Sequence, residues 1–507
     1  MRWNRKFNAK GYSESGASYK RRSMKGFVPN SGSPTEDINE NNMTLRQRSR
    51  MLYMSSPIAA SAINTNRTKV VGVGLTLKSD IDHELLGMTA EQAKEWGRKV
   101  EAEWRLWADS KKNCDATGVN NFAGIQQLAL KSWLMSGDVF PLIKRYAATP
   151  LNPYTMRIHL IEADRVSTPT DRADSLSYGI TEGTAENGND IHDGVEVDSN
   201  GMIVAYYVRN TYPFQVDIKP TKWTRVEAYG KRTGLPNILH IMDSERPDQY
   251  RGVPYLAQVI EPLLQLRRYS ESELMAALVQ SFFTAWIETN VDASEIPFNE
   301  VGDDEVSHSP NEYEMGPGNV VSLEPGETVK FGNPNIPTSG FEQFVKTTVK
   351  MIGSGLEIPY DVLIKEFNSS YSASRGALLE AWEAFKMRRA WFVNDFCQPV
   401  YECWLAEAVA LGRIHAPGFF SDPMIRAAWC RARWIGPVQG SLNPLAEVQA
   451  AILHVDHGLK THEQTAREMG GGDWFANVAQ LKRENELLNE AVPDLGGGVP
   501  HVPVTNQ

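Results

Sequence analysis

Apolar residues recur at the spacing of an amphipathic helix over residues 88–109 of this chain. The apolar stripe consists of Trp96, Val100, Trp104 and Trp107. Thr89 and Gln92 have the spacing of a capping box, in which each side chain bonds to the other residue's backbone N–H, so we expect the helix to begin there. The same periodicity predicts further helices at 44–65, 121–138, 262–288, 340–358, 372–411 and 443–492.

Short runs of β-branched residues, separated by Gly, Pro, Asn and Asp, fill residues 157–240 and predict strands joined by turns. The strongest of these strands is MIVAYYVRN at 202–210. Two more strands are predicted at 70–78, where Val and Leu alternate with other residues, and at 139–146. This mixture of helices and strands indicates an α+β fold.

The second half of the chain has an uncommon order of elements. A long helix that starts near Pro262 precedes a turn-rich insert of about 45 residues, a returning helix, a loop and a very long last helix. Pro262 suits a first helical turn, whereas Pro399 in the middle of the last helix is expected to kink or break it. Such an order is unusual for an enzyme and typical of a stalk that carries a small domain at its tip.

The two ends of the chain have the composition of mobile segments. Residues 1–43 predict a disordered basic arm, after which Thr44 can cap the first helix. This arm is either a solvated tail or a segment that contacts DNA or protein, and the sequence leaves both open. Residues 493–507 are rich in Gly and Pro and predict a flexible tail.

The charge balance limits how the chain can meet nucleic acid. It has 52 Lys and Arg against 62 Asp and Glu, a formal net charge of −10. Proteins that grip DNA over their whole surface are basic, so the balance leaves only local contacts or a passage that must not hold DNA. The four Cys residues have no CxxC spacing, which favours a reducing compartment, and no apolar run reaches the roughly 18–20 residues of a transmembrane helix.

The motifs of enzymes and metal sites are incomplete in this sequence. The segment 72–79 lacks the Gly before Lys that a phosphate loop needs, and the GSG at 353–355 lacks the spacing of a nucleophile elbow. Three histidines cluster near Asp456 without a nearby Cys, whereas a zinc site needs three or four ligands. They are His454, His457 and His462. We therefore expect no catalytic residue, no metal and no cofactor.

Five segments, in order along the chain, together resemble the lambda family of tailed-phage portal proteins. They are an Arg-rich helix with V-V-G-x-G at 44–75, R-P-x-Q-x-R-G-x-P and its following helix at 244–277, the L-x-P-G-E block through G-x-P-Y at 322–363, the start of the last long helix at 368–385 and the closing W-x-x-P block at 434–474. The chain departs from the family pattern at Asn368 to Ser372, where the family more often has Asn-Tyr-Ser-Ser, and at Asn443 to Glu447, where it has D-P-x-K-E.

The resemblance implies a portal fold with a mixed α/β wing, a helical stem, a small β-containing clip, a long kinked helix and a helical crown. The corresponding parts are an arm at 1–43, the first part of the wing at 44–261, a stem helix at 262–290, the clip at 291–339, the returning stem helix at 340–357, a channel loop at 358–372, the long kinked helix with the rest of the wing at 373–439, the crown at 440–492 and a tail at 493–507.

The function implied by the resemblance is that of a dodecameric ring at one capsid vertex, through which double-stranded DNA is packaged and later ejected. The implied partners are further copies of the chain, DNA bound without sequence preference, the terminase large subunit, head-completion and tail connector proteins, and the major capsid and scaffold proteins. The ring would occur in the virion and, during assembly, in the host cytoplasm, without a membrane partner, a cofactor or an enzymatic activity. The alternative is another head-to-tail connector or a capsid-associated ring protein.

Candidate site residues fall into two regions of the implied fold. The wing–stem joint would be fixed by prolines that limit φ and by arginines that pair with carboxylates or carbonyls, and the alternative is an ordinary loop before a helix. Its residues are Arg246, Pro247, Arg251, Gly252 and Pro254. Cations and a polar side chain near the channel would make sparse contacts with phosphates. These are Lys346, Lys350, Lys365 and Asn368, with a surface pair to Glu342 as the alternative for Lys346.

Two smaller groups complete the candidates. Phe367 and Tyr371 would brace the channel loop against its neighbour. Asp303, Asp304 and Glu305 are either terminase-facing residues of the clip or an ordinary solvated acidic loop.

Overall fold

The computed structural model describes residues 16–18, 21–28, 31–170, 181–213, 215, 220–281, 285–289, 327–331, 340–366, 371–440, 444–470 and 472–491. Within these ranges the α-helices are α1 (Glu40–Ser55), α2 (Pro57–Asn66), α3 (Ala90–Ala108), α4 (Lys111–Cys114), α5 (Phe122–Ser136), α6 (Ile260–Ser281), α7 (Phe341–Gly355), α8 (Tyr360–Ile364), α9 (Tyr371–Phe392), α10 (Gln398–Ala410), α11 (Pro423–Cys430), α12 (Pro444–Asp456), α13 (His462–Gly470) and α14 (Trp474–Ala491).

The strands of the described ranges form small antiparallel sheets. They are β1 (Thr76–Ser79), β2 (Asp138–Arg145), β3 (Met156–Glu162), β4 (Glu182–Thr184), β5 (Asp190–His192), β6 (Val195–Val197), β7 (Ile203–Arg209), β8 (Trp223–Glu227), β9 (Ile241–Met242), β10 (Ala285–Thr289), β11 (Glu327–Phe331) and β12 (Ala432–Ile435). The pairings are β1 with β12, β10 with β11, a three-stranded sheet in the order β3-β2-β9, and a five-stranded sheet in the order β4-β5-β6-β7-β8.

The chain divides into two compact units, and the second is one continuous segment inserted into the first. The first unit comprises Met1–Ile260 and Leu356–Gln507, and the second comprises Glu261–Gly355. The second unit contains α6, the antiparallel pair β10–β11 and α7. In this unit the ring of Tyr269 on α6 packs against Phe341 and Phe344 of α7, with ring centroids 5.5 and 4.6 Å away.

An aromatic core holds the helices of the first unit together. The Trp104 ring of α3 lies 5.2 Å, between centroids, from Phe122 of α5 and 5.2 Å from Trp404 of α10. Trp107, one turn further along α3, is completely buried and donates its indole N–H to the Met156 carbonyl at 2.9 Å. Large rings bury much apolar area, so these contacts fix α10 against α3 and α5, which lie far earlier in the chain.

A second apolar core lies between the two larger sheets. It includes Phe140 and Ile161 from the three-stranded sheet and Val195, Tyr206 and Val208 from the five-stranded sheet. These residues face one side of each strand, as the two-residue period of a strand requires. The described residues of the predicted β-rich region at 157–240 form strands joined by turns, as expected. The strand predicted at 202–210 is β7.

The predicted start and stop of α3 are confirmed, but the beginning of the first helix is wrong. Thr89 and Gln92 form the full capping box of α3. Helical structure, however, begins at Thr35 in a wide π turn that continues into α1, so Thr44 lies inside a helix and caps nothing. Residues 35–43 are therefore folded within the stretch predicted as an arm. The predicted 44–65 helix is also divided, because the Ser56 side chain caps a new helix that begins with Pro57.

One predicted strand begins later than expected and one predicted helix ends earlier, each for a physical reason. Val70 and Val71 belong to a second π turn that ends at Gly72, whose φ is 61°, so the predicted strand at 70–78 shortens to β1. The helix predicted to reach residue 288 ends at Ser281, and Ala285–Thr289 form β10 instead. The sequence of β10, AWIET, has the aromatic and β-branched content that favours a strand. The predicted stem helix at 262–290 therefore contains a strand at its end.

The last long helix accommodates its proline by widening. The π turn Val393–Cys397 lies between α9 and α10, and Pro399 is at the start of α10. A proline removes one backbone hydrogen bond and its ring clashes with the preceding turn, and a wide turn there absorbs both effects. Pro444 begins α12 as predicted, whereas Asn443 lies outside the described residues. Every helix in the described ranges is too short or too polar to span a bilayer.

Candidate functional site

The segment 243–255 crosses the first unit in close contact with the end of α5. An ideal Cβ on Gly252 would overlap the carbonyl of Gly137, and one on Gly137 would overlap the carbonyl of Gly252. Gly137 ends α5 with φ at 87°, a conformation that residues with a Cβ rarely adopt. Two glycines thus allow two backbones to touch, and this contact places Arg251 in the interior.

Arg251 is completely buried and uses its guanidinium as a fork. Its Nε donates to Asp138 Oδ2 at 2.6 Å and its Nη2 to Asp138 Oδ1 at 3.2 Å. The same guanidinium donates to the carbonyls of Ala163 and Val166, each at 2.9 Å, and to the backbone carbonyl of Asp193. A planar fork that meets a carboxylate with two parallel bonds is the strongest ordinary side-chain pairing.

A second arginine closes the same network from α1. Arg46 is buried, donates to the Ser136 carbonyl at 3.2 Å and lies 3.3 Å from Asp193 Oδ2. The Asp193 carboxylate also lies 2.7 Å from Arg251 Nη1, so it bridges the two guanidinium groups. The two arginines and the two aspartates, Asp138 and Asp193, balance in charge, as a buried ionic cluster requires.

Within the cluster the pKa values of the two aspartates shift in opposite directions, because burial raises the pKa of Asp193 despite the charges of Arg251 and Arg46. Burial acts to raise the pKa of Asp138, but the charges of Arg251 and Arg46 hold that pKa far below its ordinary value. Burial acts to lower the pKa of Arg251, and the carboxylates of Asp138 and Asp193 raise it above its ordinary value. Asp138 is therefore held as the carboxylate that pairs with the Arg251 guanidinium.

Of the remaining residues of the predicted joint, Arg246 and Pro247 lie nearer the surface, whereas Gly252 and Pro254 are buried. Arg246 Nη1 lies 2.6 Å from Asp37 Oδ2, and both side chains are more than a third exposed. Gln249, between the two arginines, accepts from the Arg246 N–H and donates to the Arg251 carbonyl at 2.8 Å. Pro247 is exposed and Pro254 is buried, and the Pro254 carbonyl accepts from Ala257 in the turn that leads into α6.

The channel candidates of the described ranges are surface lysines. Lys346 lies on α7 and donates to Glu342 at 2.8 Å, the surface pair that the sequence left open as the alternative. Lys350, one turn further, is exposed. Lys365 is also exposed and ends α8 with φ at 63°, in the left-handed region. Lys346 and Lys350 lie one turn apart in the second unit, and Lys365 belongs to the first unit.

Several candidates lie outside the described residues. They are Phe367, Asn368, Asp303, Asp304 and Glu305. Tyr371 is the first residue of α9, and its side chain also lies outside the described part of the chain. The acidic and loop candidates therefore stay predictions.

The sequence pointed to Arg251 but missed its partners. Asp138 is 113 residues away in the chain and Asp193 is 58 away, and neither has a local motif. The available signal was the Arg-rich helix, in which Arg46 and Arg50 are one turn apart and both turn toward aspartates. Spacing alone cannot tell such a pair from a solvated helix face.

A family model described as "Phage portal protein, lambda family" matches residues 20–389. This chain belongs to the lambda family of phage portal proteins. Portal protein B of Escherichia phage lambda is 24% identical over 455 residues, covering 85% of this chain and 81% of its own. The portal protein of Escherichia phage N15 is 24% identical over 484 residues, covering 91% and 87%. The predicted family and the predicted function as a tailed-phage portal protein are confirmed.

Solved structures with a similar arrangement come from phage-like particles. A chain from the neck of a native gene transfer agent particle, computed with C12 symmetry, matches with a TM-score of 0.43 and 11% identity, covering 85% of this chain and 93% of its own. A chain from the neck of an empty particle, computed with C6 symmetry, matches with a TM-score of 0.44 and 12% identity over the same shares. The portal family match includes the Arg251 cluster and α7, and ends within α9.

Proposed function

We propose that copies of this portal protein form a dodecameric ring at one capsid vertex, through which double-stranded DNA is packaged and later ejected. The membership in the portal family supports this function. The chain itself supports this function most directly through a set of helices whose apolar residues are exposed in the single chain.

These uncovered helices are α12, α13 and α14. Neither α12 nor α13 contains a buried residue. Their exposed apolar residues, with those of α14, are Leu445, Val448, Ile452, Leu453, Met469, Phe475, Val478, Leu481, Leu487 and Leu488. An accumulation of exposed apolar residues on three successive helices suits a contact with another protein. A second copy of the chain is the occupant that a ring supplies, because each subunit of a cyclic ring presents one face to its neighbour's other face.

The parts of the portal are proposed along the chain with the helix ends that the structure gives. The wing would comprise most of the first unit, the stem would comprise α6 and α7, and the crown would comprise α12–α14. The clip would lie between the stem helices and include β10 and β11, so it would begin at residue 285 rather than 291. The channel loop would remain at 358–372, with the short α8 at its start.

DNA would pass this ring with few contacts. The formal charge of −10 per chain suits a passage that repels the phosphate backbone. Lys346, Lys350, Lys365 and Asn368 would supply sparse contacts that centre the duplex, and Phe367 and Tyr371 would brace the loop. No base readout is expected, because a channel must pass every sequence.

The proposed partners follow from this position. The terminase large subunit would meet the clip near Asp303, Asp304 and Glu305 during packaging, and head-completion or tail connector proteins would take its place later. Major capsid and scaffold proteins would surround the wing. The protein would act as a structural connector without enzymatic activity or cofactor, in the host cytoplasm during assembly and in the virion afterwards.

Electron microscopy of the purified chain, with mass photometry of the same sample, tests the proposal. We expect rings with a central hole and about twelve or thirteen subunits, which is a mass of about 680–740 kDa for a 56.7-kDa chain. A matched sample with Ile452→Glu in α12 should give fewer rings, because a charge would replace an apolar contact between copies. A chain that stays monomeric even with its scaffold protein would refute the ring.

A further inference from the structure

Arg388, on α9, is a buried arginine that no motif singled out. Its side chain is 7% exposed. Its Nη2 donates to Glu357 Oε2 at 2.6 Å and its Nη1 to Asn66 Oδ1 at 3.2 Å. The guanidinium also lies over the ring of Tyr255, 4.8 Å from the centroid. One side chain therefore joins four separate segments, all of them in the first unit.

Two of these segments are the chain crossings between the units. The chain leaves the first unit after Ile260 and returns to it at Leu356. Tyr255 lies five residues before the departure, and Glu357 is the second residue after the return. The two crossings are also bonded directly, because the Tyr255 hydroxyl donates to the Leu356 carbonyl. Arg388 thus touches both crossings at the point where they touch each other.

The backbone of Glu357 adopts a conformation that is unfavourable for any residue with a Cβ. Its φ is 54°, in the left-handed region. A residue with a Cβ is strained there by roughly 1 kcal/mol, whereas glycine takes this conformation freely. The backbone conformation therefore gives no reason for a glutamate at this position. What it adds over glycine is a carboxylate that accepts from Arg388 Nη2, and an unfavourable backbone at a functional contact is a common arrangement.

We propose that Arg388 is a positioning residue, which fixes to the long helix α9 both points at which the chain passes between the first unit and the proposed stem. The inference rests on the proposed function and adds a residue to it. Arginine is required because its planar guanidinium meets Glu357, Asn66 and the Tyr255 ring at once, whereas the single ammonium of lysine reaches one of the polar partners. The neighbouring Arg389 touches neither crossing, because it donates to the carbonyls of Lys69 and Val70 at 2.7 and 2.9 Å.

Hydrogen–deuterium exchange of the full chain, in whatever assembly it forms, tests this role. The variants are Arg388→Lys and Glu357→Gly, and Arg389→Lys is the matched control on the same helix. We expect about tenfold faster exchange at the first turn of α6 and the last turn of α7 in the two test variants, with α3 and α5 unchanged. The control should leave the turns of α6 and α7 unchanged and speed exchange only around residues 67–71.

A structural role without positioning predicts a different result. If Arg388 only stabilised the wing, both arginine variants would speed exchange in the first unit alike and leave α6 and α7 unchanged, which would overturn the proposal. Tyr255→Phe is a milder variant that removes one hydroxyl, and it should show the same two turns opening by a smaller factor. A chain that stays monomeric even with its scaffold protein would refute the proposed ring, while this exchange contrast would still be measurable.

Discussion

Replacing Arg251 with Ala should lower the stability of the first unit more than any exposed substitution in the same segment. The change removes a completely buried guanidinium and leaves the equally buried Asp138 carboxylate without its two-bond partner. Breaking a buried ion pair from one side destabilises by about 3–5 kcal/mol, because the remaining charge stays buried and unpaired. A folded domain is more stable than its unfolded chain by only about 5–15 kcal/mol, so this loss is a large fraction.

Urea unfolding followed by tryptophan fluorescence measures the effect, since Trp107 and Trp404 are completely buried in this unit. Arg246→Ala is the control from the same segment. Its pair with Asp37 is partly exposed, and such pairs contribute about 0–1 kcal/mol. The double variant Arg251→Met with Asp138→Asn should lose less than the sum of its single changes, because no charge is left unpaired.

Ring counts by electron microscopy connect this stability to assembly. If the segment is the wing–stem joint, Arg251→Ala should give fewer closed rings than Arg246→Ala at equal protein concentration. An unchanged ring yield would refute its role as a joint. Equal unfolding midpoints for the two variants would refute the buried-pair argument itself.

Three further predictions concern other parts of the chain. Burial, with the charge of Asp243, raises the pKa of Asp395 to about 6, so ionisation opposes folding and stability falls as the pH rises from about 4 to 6. In urea unfolding, Asp395→Asn should therefore stabilise the protein by about 1–2 kcal/mol at pH 7 and by almost nothing at pH 4. The value at pH 7 is less than the full linkage because the group is partly exposed. Gly252→Ala should destabilise by more than about 3 kcal/mol or prevent folding, because its Cβ meets the Gly137 backbone, whereas Gly376→Ala on α9, with open space around it, should stabilise by about 0.5–1 kcal/mol. Lys350→Glu should change the free energy of unfolding by less than about 0.5 kcal/mol and leave the ring number unchanged, but it should reduce the amount of DNA packaged per capsid. An equal loss of packaged DNA with Lys99→Glu on α3 would contradict a specific channel role.

The sequence predicts elements whose signals are local. The Thr89 capping box and the tryptophan stripe of α3 lie within one helix, so period and cap together fix its position. The Thr35 start of the first helix was missed for the opposite reason. Thr35, Ile38 and Asn39 are buried, and this burial stabilises a turn whose polar sequence reads as disordered. Tertiary packing overrides local composition there.

Pairings between distant segments could not be predicted. The β1–β12 pair joins Thr76–Ser79 with Ala432–Ile435, and each strand is only four residues long. A run so short has no periodicity to detect, and its partner is hundreds of residues away. The candidate site shows the same limit: Arg246 and Arg251 look alike in the motif, yet one has an exposed partner and the other is buried among carboxylates and carbonyls.

Under the proposed function, this difference limits which of the two arginines could meet DNA. Arg251 has five N–H donors, and the Asp138 carboxylate, three backbone carbonyls and the Asp193 carboxylate take all of them inside the protein. A guanidinium with no free donor and no exposed surface cannot bind a phosphate, so Arg251 serves the architecture of the subunit. In the proposed channel, cations that contact a moving duplex would instead have to be exposed, as Lys350 and Lys365 are. The division matches the physical requirement of a channel, because tight pairing belongs in the frame and weak, sparse charge belongs on the wall that DNA slides along.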